Sequence, residues 1–198
     1  MSGKSRSVKI CTFEYRLALQ MLQKFQQHIQ KSLDSDNGRS CVLWPYGVLF
    51  RDSESKMRKK MIESDLVECV IALGKNLFYN SIMESCLLIT SNKKPENRKG
   101  KVLFIDARKE LKKEKTMSFL SPEHISKIYS AYFDFKTTDE FTYVADIKEI
   151  IDNKASLNVP LYVKNTNNEI ILEFSEAYSK WTESSGKLSE SITKIFDT

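Results

Sequence analysis

The order of apolar and polar positions divides the chain into alternating helical and extended periods. In residues 14–33, EYRLALQMLQKFQQHIQKSL, the residues Ala18, Leu22, Phe25, Ile29 and Leu33 recur every three or four positions and predict one helical stripe. Asn37-Gly38 is a turn signal that ends it. SCVLW (40–44) is apolar without alternation, which predicts a short strand covered on both faces, and Pro45 closes it. Helical spacing returns in SESKMRKKMIESD (53–65), with Met57, Met61 and Ile62 inward. LVECVIAL (66–73) and CLLIT (86–90) read as two more buried strands, and KVLFID (101–106) as another after the turn PENRKG. Strands alternating with helices predict an α/β sheet. The 12 residues that join 66–73 to 86–90 carry no helical period. Parallel neighbours need a crossover, usually a helix, so a long hairpin placing one antiparallel strand in a largely parallel sheet is expected instead.

Beyond residue 120 the pattern is helical again. Ser121-Pro122-Glu123 combines a cap, a proline at the first helical position and an acid, and predicts a helix to about Phe135 that buries Ile125, Ile128, Tyr129 and Tyr132. Asp146-Ile147-Lys148-Glu149 has capping-box spacing and opens a short helix that Asn153 closes. LNVPLYV (157–163) reads as extended. Near the C-terminus, Phe174, Tyr178, Trp181, Ser185, Leu188, Ile192 and Ile195 are spaced 4, 3, 4, 3, 4 and 3 apart. A seam with a mean period of 3.5 suits a helix packing along other long helices, on a partner or on its own domain.

Composition narrows the class. At 198 residues and 41% hydrophobic, the chain holds enough apolar surface for one ordinary domain. Charges interrupt every apolar run before it reaches membrane-spanning length. MSGKSRSVKI has basic residues but no apolar segment behind them, so no secretory signal is expected and a cytoplasmic protein is. Cys11, Cys41, Cys69 and Cys86 form no C-x-x-C pair and have no nearby histidine, which argues against a metal site or a disulfide framework. The net charge of +5 favours an anionic partner without naming one. The local concentrations are Lys59-Lys60, Lys93-Lys94, Arg98-Lys99, Arg108-Lys109 and Lys112-Lys113, all of which also suit solvated loops and helix faces.

Between the two buried strands lies GKNLFYNSIMES (74–85), whose tip holds two adjacent large aromatics, Phe78 and Tyr79. This stretch and the phrases GRSCVLWPYGVLFR, KMRKKMIESDLVECVIALGKNLFY, CLLI, KKPENRKGKVLFIDARKE, SPEHISKIYSAY and LNVPLYV occur in order from about residue 14 to 163. Together they resemble the methylation subunit of type I restriction–modification systems, an adenine-specific DNA methyltransferase that uses S-adenosylmethionine. The resemblance implies the C-terminal half of a Rossmann-like methyltransferase sheet followed by a helical tail. It implies that the strands flanking the aromatic tip are the last two of that sheet, and that Phe78 and Tyr79 border the pocket of a flipped adenine, with Tyr46 facing the same crevice. A base taken out of the stack is held by aromatic faces and polar edges, although each of these rings equally suits packing under the loop.

The chain departs from the family pattern in places. Trp44-Pro45-Tyr46-Gly47 stands for Leu-Pro-His-Gly, Gly74-Lys75 replaces a proline-containing approach to the loop, and Met83-Glu84-Ser85-Cys86 replaces Ile-Pro-Thr-Cys. A looser loop with added negative charge is expected. The 198 residues also hold no Pro-Pro pair and no G-x-G, so neither the family's Asn-Pro-Pro-aromatic tetrad nor its glycine-rich cofactor turn is present. His28 and His124 have no nucleophile or ligand at useful spacing, and Asp106 and Glu110 read as ordinary solvated carboxylates. The expectation is therefore no catalytic residue, no bound metal and no S-adenosylmethionine held by this chain alone. The division expected is an arm at 1–13, a partial methyltransferase domain at 14–120, an extension at 121–163 and a C-terminal helix at 164–198. By the resemblance, Phe174, Tyr178, Trp181, Leu188, Ile192 and Ile195 dock on the specificity subunit, and DNA enters the assembled complex. The SCVLW strand is expected to expose an edge that a separately encoded N-terminal half, residues 1–13 or a second copy covers. The alternative reading is a non-catalytic module that binds DNA or a protein.

Overall fold

In chain order the elements are helix α1 (24–32), strand β1 (Arg39–Pro45), helix α2 (Ser55–Glu63), strands β2 (Val67–Leu73), β3 (Ser85–Ser91) and β4 (Lys101–Ala107), the small pair β5 (Lys112–Lys113) and β6 (Ser118–Phe119), helix α3 (Pro122–Asp134), strand β7 (Thr142–Asp146) and helix α4 (Ile147–Asp152). The structure, a computed structural model, describes residues 24–78, 81–114, 117–138, 140–164, 178–179 and 181–187. Two compact units divide the chain, Met1–Asn165 and Thr166–Thr198.

Five strands form one mixed sheet in the order β1-β3-β2-β4-β7. The β2–β3 connection is the expected hairpin: Leu73 pairs with Ser85 and Ile71 with Leu87, antiparallel. β2 and β4 form the parallel pair, with Ile71 opposite Ile105. β7 is a second antiparallel strand, with Phe104 opposite Tyr143. The short TYVAD run gives little extended period of its own; pairing with β4 makes it a strand.

Both faces of the sheet are covered, which is why β2 and β4 show no polar alternation. Successive strand residues point to opposite faces. Val70, Ala72 and Phe104 join the core formed with α2, α4 and residues 157–163, whereas Cys69, Ile71, Leu73, Leu103 and Ile105 join the core facing α3. Residues 157–163 are not extended. Pro160 sits in a 3₁₀ turn, Val159–Leu161, and Tyr162 stacks on Phe104 with ring centres 4.1 Å apart. The proline fixes φ in a range that serves the turn as well as it serves a strand. Arg58 of α2 is buried on this side, donating to the backbone oxygens of Ala155 (3.1 Å), Val48 (3.0 Å) and Arg51 (2.7 Å).

Several faces turn differently from the sequence pattern. Met57, Met61 and Ile62 are buried as expected, but in α1 Phe25 points outward and Gln26 inward, where its Oε1 accepts from Trp44 Nε1 at 3.1 Å. Ala18 and Leu22 lie outside the described residues. In α3 the cap is made as expected, Ser121 Oγ accepting from the His124 backbone N–H while His124 Nδ1 accepts from that of Ser121. Only Ile128 and Tyr132 of the expected inner face pack on the core; Ile125 and Tyr129 are exposed, because a two-layer contact covers one narrow stripe of a helix. α4 starts at Asp146 without a side-chain cap bond, since Glu149 instead accepts from the Tyr143 hydroxyl. Among the described residues β1 is an edge strand: Trp44 is buried, but Cys41 and Leu43 are exposed rather than covered on both faces.

Candidate functional site

β1, β2 and β4 share one direction, so Pro45, Leu73 and Ala107 end at the same side of the sheet. In open α/β sheets ligands gather outside these carboxyl ends. Four pieces meet there: Tyr46, the 74–84 loop, the Asp106–Arg108 corner and the β5–β6 hairpin.

Tyr46 leaves β1 in a 3₁₀ turn and is buried. Its backbone N–H donates to Glu84 O at 3.2 Å and its hydroxyl donates to Asn158 Oδ1 at 3.0 Å. Burial pushes the Tyr46 hydroxyl up to about 12. The ring thus ties the loop to residues 157–163 from beneath.

Gly74 begins the loop at a close approach. A Cβ there would stand 2.6 Å from Arg108 O and would overlap Leu111 Cδ2, so the space a side chain needs is already filled. The loop is therefore held at its base, not loosened, by this residue. Asn76 adopts φ +60°, and its carbonyl accepts from the Ser118 N–H at 2.8 Å. Leu77 turns into the core under α3. Phe78 forms an antiparallel bridge with Ser81 and is 39% exposed; Tyr79 lies outside the described residues. Glu84 stands 3.9 Å from Lys75 Nζ, so the added acid has a cation beside it. Phe78, Met83 and Ser85 face Leu43, Trp44 and Pro45 across a cleft of about 220 Å³. The Ser85 hydroxyl in this cleft is buried without a hydrogen-bond partner.

Asp106 is buried rather than solvated. Arg108 Nε and Nη2 grip its two oxygens at 2.8 and 2.6 Å, and this pairing raises the arginine pKa despite its partial burial. Glu110 meets Lys127 at 2.5 Å. A bidentate pair that turns inward satisfies both charges and leaves neither poised for proton transfer.

Residues 18–170 match the sequence profile of N-6 DNA methylase. The chain belongs to the N-6 DNA methylase family. It is similar to the type I restriction enzyme MjaVIII methylase subunit of Methanocaldococcus jannaschii, 41% identical over 138 residues, which are 68% of this chain and 24% of that protein. The HindI methylase subunit of Haemophilus influenzae is 33% identical over 145 residues, 68% of this chain and 32% of that protein. Among solved structures, the type I restriction-modification system methyltransferase subunit from Streptococcus thermophilus superposes with a TM-score of 0.66 at 37% identity, over 71% of this chain and 30% of that one. The M protein of EcoKI shares the fold, with a TM-score of 0.59 at 15% identity over 88% of this chain and 44% of that one. The chain thus spans between about a quarter and a third of the length of the MjaVIII and HindI subunits.

A Cβ on Gly47 would run into the Arg51 guanidinium, and Gly74 is filled as described. No group of three histidine, cysteine or acidic residues is placed to hold a metal among the described residues, and none of their helices is long and apolar enough to cross a membrane. In the second unit Tyr178 and Trp181 are exposed, with ring centres 6.0 Å apart; Phe174, Leu188, Ile192 and Ile195 lie outside the described residues.

One polar cluster, at the opposite end of the sheet, was hidden by the hydropathy pattern. Glu68, fully buried in β2, accepts from Arg98 at 2.7 Å, Arg39 at 2.8 Å and the Tyr132 hydroxyl at 3.0 Å. Burial pushes its carboxyl up, but these hydrogen bonds and the Arg39 charge outweigh it and hold it below its ordinary value. The signal was a lone acid inside LVECVIAL: a carboxylate in an apolar strand needs buried cationic partners.

Proposed function

We infer that this chain forms the C-terminal part of the methyltransferase body in a type I modification subunit, and that it borders the target adenine without itself holding the methyl donor. The observation carrying this reading is that β1 ends the sheet among the described residues, with Cys41 and Leu43 exposed, beside the cleft lined by Phe78. A sheet edge of this kind presents unpaired N–H and C=O groups that a neighbouring strand completes. The residues that would bind S-adenosylmethionine and polarise the adenine amine belong, in this reading, to an N-terminal half, on the same or a separately encoded polypeptide. Phe78 supplies an aromatic face at the rim, and Tyr79 is its expected companion. Tyr46 acts from below by fixing the loop. Phe174, Tyr178, Trp181, Leu188, Ile192 and Ile195 form the seam that docks on the specificity subunit.

The 198 residues are expected to show no saturable S-adenosylmethionine binding by calorimetry and no methylation of duplex DNA. Mixing them with an N-terminal half from a related subunit is expected to give a 1:1 complex by light scattering and to restore adenine methylation. Methylation by these 198 residues alone refutes the reading. Failure to bind the N-terminal half, together with salt-sensitive DNA binding, favours the reading as a non-catalytic module.

A further inference from the structure

We propose that the β5–β6 hairpin is a phosphate-contacting arm that grips the nucleic-acid backbone beside the Phe78 loop, through Lys109, Lys112 and Lys113. The proposal rests on the reading above, that this end of the sheet borders the target base, and it assigns that end a backbone contact. Two observations place the arm. The hairpin leaves β4 at the carboxyl end, the same side as the loop tip, and the Ser118 N–H donates to Asn76 O at 2.8 Å. Leu111, immediately before the hairpin, fills the space over Gly74. Hairpin and aromatic loop are thus one braced unit, in which Ser118 is buried and the lysines point outward.

The local charges decide the chemistry of the partner. Lys109, Lys112 and Lys113 are exposed. The acids nearby are largely spoken for: Asp106 is gripped by Arg108, Glu110 by Lys127, and Glu84 stands by Lys75, leaving the exposed Glu114 on the hairpin. The Lys112 ammonium lies 5.6 Å over the ring of its cross-strand partner Phe119, which holds the charge at a fixed height on the hairpin face. Lys112 and Lys113, consecutive on β5, project from opposite faces of the hairpin, so an arm lying along a nucleic-acid backbone offers a cation on each side, and each phosphate neutralised releases counterions.

The test measures equilibrium binding of the purified chain to a labelled duplex by fluorescence anisotropy, between about 50 and 200 mM salt. The variant carries Lys109→Gln, Lys112→Gln and Lys113→Gln. A charge-matched control carries Lys93→Gln, Lys99→Gln and Lys101→Gln, exposed positions at the opposite end of the sheet. The hairpin variant is expected to lower the slope of log K against log salt by about 2 to 3, roughly 0.9 per lost contact, with the control close to wild type. Unchanged urea midpoints in both variants show that folding is not the cause. Equal slopes in the two variants, or no binding by wild type at about 50 mM salt, overturn the proposal. Neither result touches the complementation experiment, which requires an N-terminal half and reads methylation, so the two readings fail separately.

Discussion

Arg98 donates to Glu68 at 2.7 Å inside a sheet strand where the carboxylate has no exposure to water. The same guanidinium lies 5.2 Å over the Tyr132 ring and 4.6 Å over Phe135, so one arginine fastens β2 to α3 by charge and by its flat face. Removing the acid leaves Arg98 largely buried and without its counter-charge. Glu68→Ala is expected to cost about 3–5 kcal/mol, read from the urea midpoint. Replacing Glu68 and Arg98 together with leucine is expected to cost less than the sum of the single changes, because no buried charge is stranded: Arg39, which also loses its carboxylate, is half exposed and stays hydrated.

The same cluster sets an acid limit. Glu68 is held below its ordinary value in the folded chain, so in the window beneath that value the unfolded chain binds the extra proton. Its stabilisation is present above the ordinary glutamate pKa and is lost as pH falls through the folded one. Denaturation midpoints measured at falling pH are expected to show this loss, and Glu68→Gln is expected to flatten it.

At the alkaline side three tyrosines act together. Burial pushes Tyr46, Tyr132 and Tyr162 up to about 12 each, against an ordinary value of 10.0. Their neutral forms are favoured by the fold, so the contribution is complete below pH 10.0 and disappears as pH rises toward about 12. Tyr46→Phe is expected to shrink this alkaline loss. At neutral pH it leaves Asn158 Oδ1 without its donor, at a cost of about 1–3 kcal/mol by chemical denaturation.

Gly74 tests how tightly the aromatic loop is held. Ala at this position brings a methyl group within 2.6 Å of the Arg108 carbonyl, a backbone atom that cannot swing away. Gly74→Ala is expected to destabilise by about 1–3 kcal/mol in a thermal melt, through overpacking. A neutral or stabilising result shows that the loop base yields.

Thiol reactivity reports the edge of the sheet. Cys41 is exposed on β1, whereas Cys69 and Cys86 are buried, with Cys86 pushed up to about 12. In a Cys11→Ser background, one thiol is expected to react with maleimide in the native chain and two more only after unfolding. Covering the β1 edge with an N-terminal half is expected to slow the fast thiol.

The strands with unbroken apolar runs were legible in the sequence because two-sided burial writes itself as composition, and the β2–β3 hairpin followed from a connection with no helical period. β7 was not legible. TYVAD is short and flanked by polar residues, and its strand character comes from the β4 backbone opposite it. The outward turn of Phe25, Ile125 and Tyr129 was also hidden, since periodicity marks a stripe but not which part of it a neighbour covers. The place of Phe78 in the connection after β2 was legible, and the structure has its ring partly exposed there. The anchoring of Tyr46 on Asn158 joins residues 112 positions apart, and only the folded chain brings them together. Asp106 looked solvated because its partner, two residues away, folds back on it from the strand end.

Among the described residues β1 has no strand on its outer side, and an edge of that kind bears on how the polypeptide fares during synthesis. Where the complementary strand comes from another chain, the yield of finished sheet follows the scarcer of the two products. Surplus copies are then expected to meet each other flank to flank and to leave solution as the imbalance grows.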